Sequence, residues 1–258
     1  MSSKPVNQAG DVWTPLRQLT TARIGLARSG ASLATGPLLA FQLAHARARD
    51  AVNASLDVSQ LTADVERLEA PVLVVASAAA DRQSFLMRPD LGRKLGPGAD
   101  ALLQPRAAKY DVAFVVVDGL SARAVQTHAA PVLAAVLARL RALSWRIAPL
   151  TIVTHGRVAI GDAIAAELGA DSVAVLIGER PGLSAPDSMG AYLTWQPGRQ
   201  PSDADRNCIS NIRPGGIGYA DAGAKIVNLL GAMRARKISG VRLKDDSGSS
   251  TPKIASCD

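Results

Sequence analysis

The chain has 258 residues, 48% hydrophobic and 20% charged, enough to bury a substantial core in one or two domains. Its formal charge of +7 invites a nucleic-acid reading, but the basic residues stand singly, densest at His45–Arg49, and none of the three Trp, three Tyr and three Phe interleaves with a basic run as a stacking platform requires. No apolar stretch approaches the roughly 18–20 residues that span a bilayer, so neither nucleic acid nor membrane is expected as a partner.

Residues 1–15 read as a disordered lead-in without the apolar core of a secretory signal, which points to a cytoplasmic protein. A helical N-terminal segment is expected over 16–70. Pro37 is placed to open a helix through "LLAFQLAHARARDAV", with Leu38, Leu39 and Phe41 to Leu43 on its apolar side. A second helix is expected over 58–69 and a short strand at Val72–Ala76.

From about residue 105 strands and helices alternate. "DVAFVVVDGLS" is a continuous apolar run ending in Asp-Gly, the pattern of a strand buried on both faces. Val132, Leu133, Val136, Leu137 and Leu140 then form one helical stripe. "PLTIVTHG" reads as a strand and turn, and "GDAIAAELGA" as a helix with Ile160, Ile164 and Leu168 on one side. "SVAVLIGERPG" is a further strand and turn, and Ile226, Leu229, Leu230 and Met233 mark a last helix. This alternation predicts an α/β fold with a mainly parallel, doubly wound sheet over 71–244, followed by a flexible tail at 245–258.

Ligands of such sheets sit outside the carboxyl ends of the strands. Three strand exits are therefore candidates: Asp118–Ser121, Thr154–Val158 and Gly178–Gly182. Glu179 and Arg180, held between glycines and Pro181, either pair with each other or face a ligand. No G-x-G-x-x-G, phosphate loop, H-E-x-x-H or G-x-S-x-G pattern is present, so no catalytic residue and no metal ligand is assigned. His45 and His128 read as structural or surface histidines; His155, at a strand exit, is a functional candidate. Cys208 reads as a small buried apolar residue. Cys208 and Cys257 fit no metal spacing, and a cytosolic disulfide would be unusual.

Six stretches in order, "LTTARIGLARSGASLATGPLLAFQLAHARARDAV", "RPDLGRKL", "YDVAFVVVDGLSARAV", "GRVAIGDAIAAELGA", "VLIGERPGLSAPDSMGAYLTW" and "DADRNCISNIRPGG", together resemble the small (light) subunit family of ethanolamine ammonia-lyase. They cover roughly Leu19 to Lys244. The resemblance implies a heteromeric, adenosylcobalamin-dependent lyase that converts ethanolamine to acetaldehyde and ammonia. It also implies a Rossmann-like cobalamin-binding domain in this chain, several heterodimers with a large subunit, and a helical N-terminal segment that helps them assemble.

Carried over by motif, the cofactor contacts are Val158 of "GRV", Glu179 of "GERPG" and Cys208 of "RNCISN". Glu179 would accept hydrogen bonds from the corrin's amide arms, with Arg180 bracing the loop. The family's home is the cytoplasm, free or inside a bacterial microcompartment. A D-x-H-x-x-G motif is missing, which predicts base-on cofactor binding. The rival reading is a non-catalytic cobalamin-handling or scaffold protein of the same fold.

Overall fold

The apolar runs of the sequence form the centre of a six-stranded sheet in the computed structural model, which describes residues 12–199 and 201–244. β1 (Arg28–Ser29) and β2 (Ser32–Leu33) make a separate small hairpin. The main sheet comprises β3 (Val72–Ala76), β4 (Ala113–Val117), β5 (Leu150–Thr154), β6 (Ser172–Gly178), β7 (Met189–Trp195) and β8 (Arg206–Ile212), in the order β3-β5-β4-β6-β7-β8. The first three pairings are parallel and the last two antiparallel. The fold is thus mixed α/β with a mostly parallel sheet. The antiparallel β7 and β8 were not anticipated from the sequence.

Every residue of β4 and β6 is buried, and the two-residue repeat of a strand divides each run between two cores. Phe114, Val116, Ala174 and Leu176 face α3 (Val58–Glu66), α6 (Ala122–Ala142) and α8 (Tyr219–Arg236). Val115, Val117, Val173 and Val175 face α5 (Ala99–Leu103) and α7 (Ile160–Leu168). Helices therefore cover both faces. The stripes expected on α6, α7 and α8 are all buried. α6 is capped by the Ser121 side chain, which accepts from the Ala124 N–H, and it carries Pro131 in its interior.

The N-terminal portion is organised differently. α1 (Thr14–Gln18) is a single helical turn that begins in the stretch expected to be disordered, 1–15, and runs into the segment expected to be helical; residues 1–11 of the lead-in and the tail at 245–258 lie outside the described residues. α2 (Thr35–Asn53) starts two residues before Pro37, which occupies its third position, where the missing N–H is still one of the unpaired donors of a first turn. Of its 19 residues only Ala51 is buried. Leu38, Leu39, Phe41 and Leu43 are all exposed, so the apolar side expected to pack lies uncovered by the described residues. The connector between β3 and β4 begins with α4 (Arg82–Met87), whose N-cap Asp81 accepts from the Ser84 N–H. No helix of the described residues is long and apolar enough to cross a membrane.

Candidate functional site

Where the chain leaves β4 it turns into α6 on one face of the sheet, and where it leaves the neighbouring β5 it turns into α7 on the other. The divergence opens a crevice at the carboxyl ends of these strands. Asp118, buried at the end of β4, ties its floor together. Its carboxylate accepts from the Gly119 and Gly156 N–H groups (2.9 and 3.1 Å) and from the His155 N–H (2.9 Å). Arg82 of α4 stands 3.7 Å away and donates to the carbonyls of Gly119 (2.7 Å) and Val52 (2.8 Å). Burial pushes the Asp118 carboxyl up, against the pull of the His155 N–H, the Arg82 charge and the Gly156 N–H.

Glycine sets how closely the exits approach. Gly119 has φ +56°, and a Cβ there would lie 2.4 Å from the Gly178 carbonyl oxygen. A Cβ on Gly178 would lie 2.1 Å from the Ser121 carbonyl oxygen. Only backbone without side chains passes at this crossing, and it brings the Glu179 turn beside the end of β4.

Two adjoining hollows make up the crevice. One, of about 380 Å³, is bordered by Arg93, Arg157, Val158, Tyr192 and Cys208 among others. The other, of about 450 Å³, shares Arg157, Val158 and Tyr192 and adds Glu179 and Arg180. Val158, Glu179 and Cys208, far apart in sequence, therefore meet around one tyrosine. Tyr192 lies opposite Val175 on one side and Cys208 on the other. Burial raises its phenol pKa, and the neighbouring Cys208 and Glu179 add to the rise. The phenol stays protonated and is a neutral donor.

Glu179 leaves β6 with its carboxylate over β7, 3.2 Å from the Asn211 N–H. Room for it comes from Gly190, where a Cβ would sit 3.0 Å from Glu179 Oε1. Among the described residues Glu179 and Arg180 do not pair, and Arg180 is exposed without a side-chain partner, so it does not brace the loop. Cys208 is exposed, not buried: β8 is a sheet edge, and the thiol faces the crevice and Ser210 Oγ at 3.2 Å. Beneath it Arg206, its side chain 4% exposed, forks onto Asp162 of α7 at 2.7 and 2.8 Å.

Two of the histidines lie apart from this wall. His128 is buried under α8 with Nδ1 2.9 Å from the Tyr219 hydroxyl, and His45 stacks on Phe41. His155 is left-handed (φ +56°), its ring 6.4 Å from that of Phe85. Sequence reasoning missed Tyr192 and Arg157. Arg157 directly precedes Val158 in "GRV", but nothing in the sequence places Tyr192 between two strands that had not been recognised as such.

Fold and site together define an α/β chain with an open crevice at its strand ends. Among its described residues no cluster of His, Cys, Asp or Glu is placed to hold a metal ion. The sequence comparisons specify the class further. The family model for the ethanolamine ammonia-lyase light chain matches residues 10–244. The chain is 49% identical over 245 residues to the ethanolamine ammonia-lyase small subunit of Ralstonia nicotianae, covering 93% of this chain and 91% of the relative. The small subunits of Azotobacter vinelandii (49% over 239 residues, 91% and 88% covered) and Pseudomonas syringae pv. tomato (46% over 257 residues, 96% and 90% covered) are similarly close. This chain belongs to the ethanolamine ammonia-lyase light chain family.

Proposed function

We propose that this chain is the cofactor-clamping half of a heteromeric ammonia-lyase. Together with a large subunit it encloses adenosylcobalamin for the deamination of ethanolamine to acetaldehyde and ammonia, and alone it turns nothing over. The observation that carries this reading is the convergence of Val158, Glu179 and Cys208 on one open crevice wall around Tyr192.

The residues present suit a corrinoid. Glu179 has one backbone donor, Asn211 N–H, which leaves lone pairs free for the amide NH2 groups of the corrin periphery. Val158 contributes apolar surface, and Cys208 a compact contact with a thiol. The neutral Tyr192 phenol is a donor for an amide oxygen. When bound, adenosylcobalamin supplies the radical that starts the deamination. The chain's own task is to orient the cofactor and, with the large subunit closing the open side, to keep water from the reacting centre.

Binding is base-on in this reading. The chain lacks D-x-H-x-x-G, and the His128 imidazole is engaged with Tyr219 away from the crevice. An electron paramagnetic resonance spectrum with histidine nitrogen on cob(II)alamin would overturn it. Residues 71–244 form the Rossmann-like cobalamin-binding domain and 16–70 the assembly segment, whose exposed α2 side chains are available to the large subunit or to a second heterodimer. The complex works in the cytoplasm.

The direct test combines the chain with its large subunit, adenosylcobalamin and ethanolamine, and follows acetaldehyde with each chain omitted in turn. Release only with both chains is expected. A folded, paired complex without turnover would shift the reading to a cobalamin-handling or scaffold protein. Glu179→Gln keeps the shape and removes the charge; it is expected to weaken cofactor binding by on the order of 1–2 kcal/mol. Unchanged affinity in equilibrium dialysis would remove Glu179 from the site.

A further inference from the structure

The sequence shows its arginines as isolated residues, but the fold gathers them. Arg82 comes from α4, Arg93 from the connector before β4, Arg157 from the exit of β5 and Arg180 from the exit of β6. Arg157 borders both hollows, Arg93 one and Arg180 the other. Its guanidinium lies 4.2 Å from the centre of the Phe85 ring, with Arg82 4.8 Å from the same ring. Arg157 Nη2 donates to the Phe85 carbonyl at 3.1 Å, and its Nε is buried without a hydrogen-bond partner.

The carboxylates nearby are already engaged. Asp118 takes three backbone N–H groups and faces Arg82. Asp203 stands 3.4 Å from Arg206, whose fork is filled by Asp162. Glu179 accepts from Asn211. Among the described residues, Arg93, Arg157 and Arg180 have no ion-pair partner. Burial, followed by the charges of Arg82, Arg93 and Arg180, pushes the Arg157 pKa down, with Asp118 pulling the other way. Like charges gathered at a partly buried site are unfavourable unless an anion joins them.

The backbone adds donors at the same place. α7 starts at Ile160 with no side-chain cap, and the N–H groups of Val158 and Ala159 donate to no acceptor among the described residues. They border the same hollow as Arg93 and Arg157. A planar guanidinium beside free amides is suited to the oxygens of a phosphate ester.

We propose that Arg157, flanked by Arg93 and Arg180 and by the Val158 and Ala159 amides, is a phosphate subsite that takes the phosphodiester in the nucleotide arm of the corrinoid. The subsite rests on the cofactor reading above and divides the crevice by charge. Glu179 serves the amide arms, and the arginines serve the one anionic group of the ligand.

The test titrates the assembled complex with cyanocobalamin, which carries the phosphodiester, and with dicyanocobinamide, which lacks it, by equilibrium dialysis read at the corrin absorbance. Arg157→Gln is expected to weaken cyanocobalamin about tenfold or more and to leave dicyanocobinamide within about twofold, the cycle isolating contacts to the nucleotide arm, of which competition by inorganic phosphate singles out the phosphate. Arg93 and Arg180 are exposed and, among the described residues, without side-chain bonds, so the double variant R93Q/R180Q is expected to fold and to show the same preference at smaller size. Inorganic phosphate as a competitor is expected to weaken cyanocobalamin alone. Equal losses for the two corrinoids, no loss for either, or equal competition by inorganic phosphate against both would overturn the subsite while leaving the cofactor reading in place. A native complex that binds neither corrinoid would overturn both.

Discussion

α2 and α6 are helices of nearly equal length, 19 and 21 residues, with opposite fates. α6 buries ten residues and α2 one. The apolar residues of α6 recur along a stripe through five turns, facing a sheet that is itself apolar on that side. Those of α2 bunch in its first half, ahead of "HARARD", and among the described residues no strand lies beneath them. An apolar run thus marks a surface that needs covering, without saying whether the cover comes from the same chain. In α6 the chain supplies it; in α2 the proposed assembly does.

The comparison breaks most visibly where burial is deepest. Arg206→Ala would leave the Asp162 carboxylate buried without its fork, a loss of about 3–5 kcal/mol; chemical denaturation should show a lower midpoint, and an unchanged midpoint would mean the pair contributes nothing. Leu133→Ala, on the buried stripe of α6, is expected to cost about 2–5 kcal/mol by the same measurement.

A smaller effect separates the regions by pH. Burial lowers the His128 pKa, with Asp187 pulling it up and Arg213 down. An imidazole with a folded-state pKa below its unfolded value contributes stability that is complete above the unfolded value, about 6.5, and is lost as pH falls through the folded one. The melting temperature should therefore drop on acidification below that point. His128→Gln should flatten this part of the profile, whereas an unaltered slope would assign it elsewhere.

The smallest change in this chain's own stability is expected on α2. Leu39→Ser with Leu43→Ser should shift unfolding by less than about 0.5 kcal/mol per site while weakening assembly in analytical ultracentrifugation. A large loss of stability without the partner would show that α2 packs on its own chain.

The central strands were legible because burial on both faces leaves unbroken aliphatic runs, as in "AFVVV" and "SVAVLIG". β7 and β8 were not. Gly190 interrupts "MGAYLTW" in order to seat Glu179, and β8 is an edge strand whose "RNCISNI" spends its outward positions on polar groups. The same edge explains why Cys208 was read as buried: cysteine is usually an interior residue, and only the pairing with Tyr192 turns it to the crevice. Glu179 stood out as a charge at the exit of a buried strand, but pairing with Arg180 explained it equally well, and the resemblance to the family made the choice. The arginine cluster could not be found, since its members come from four separate segments and each is ordinary in its own.

The crevice wall recruits Phe85, Gly119, Arg157, Glu179, Tyr192 and Cys208, the last from β8, the edge strand paired with β7. A chain that ends before β8 lacks Cys208, so a ribosome must complete β8 before the wall can close. A partner or ligand that grips this wall would therefore hold only molecules whose last strand has docked on β7.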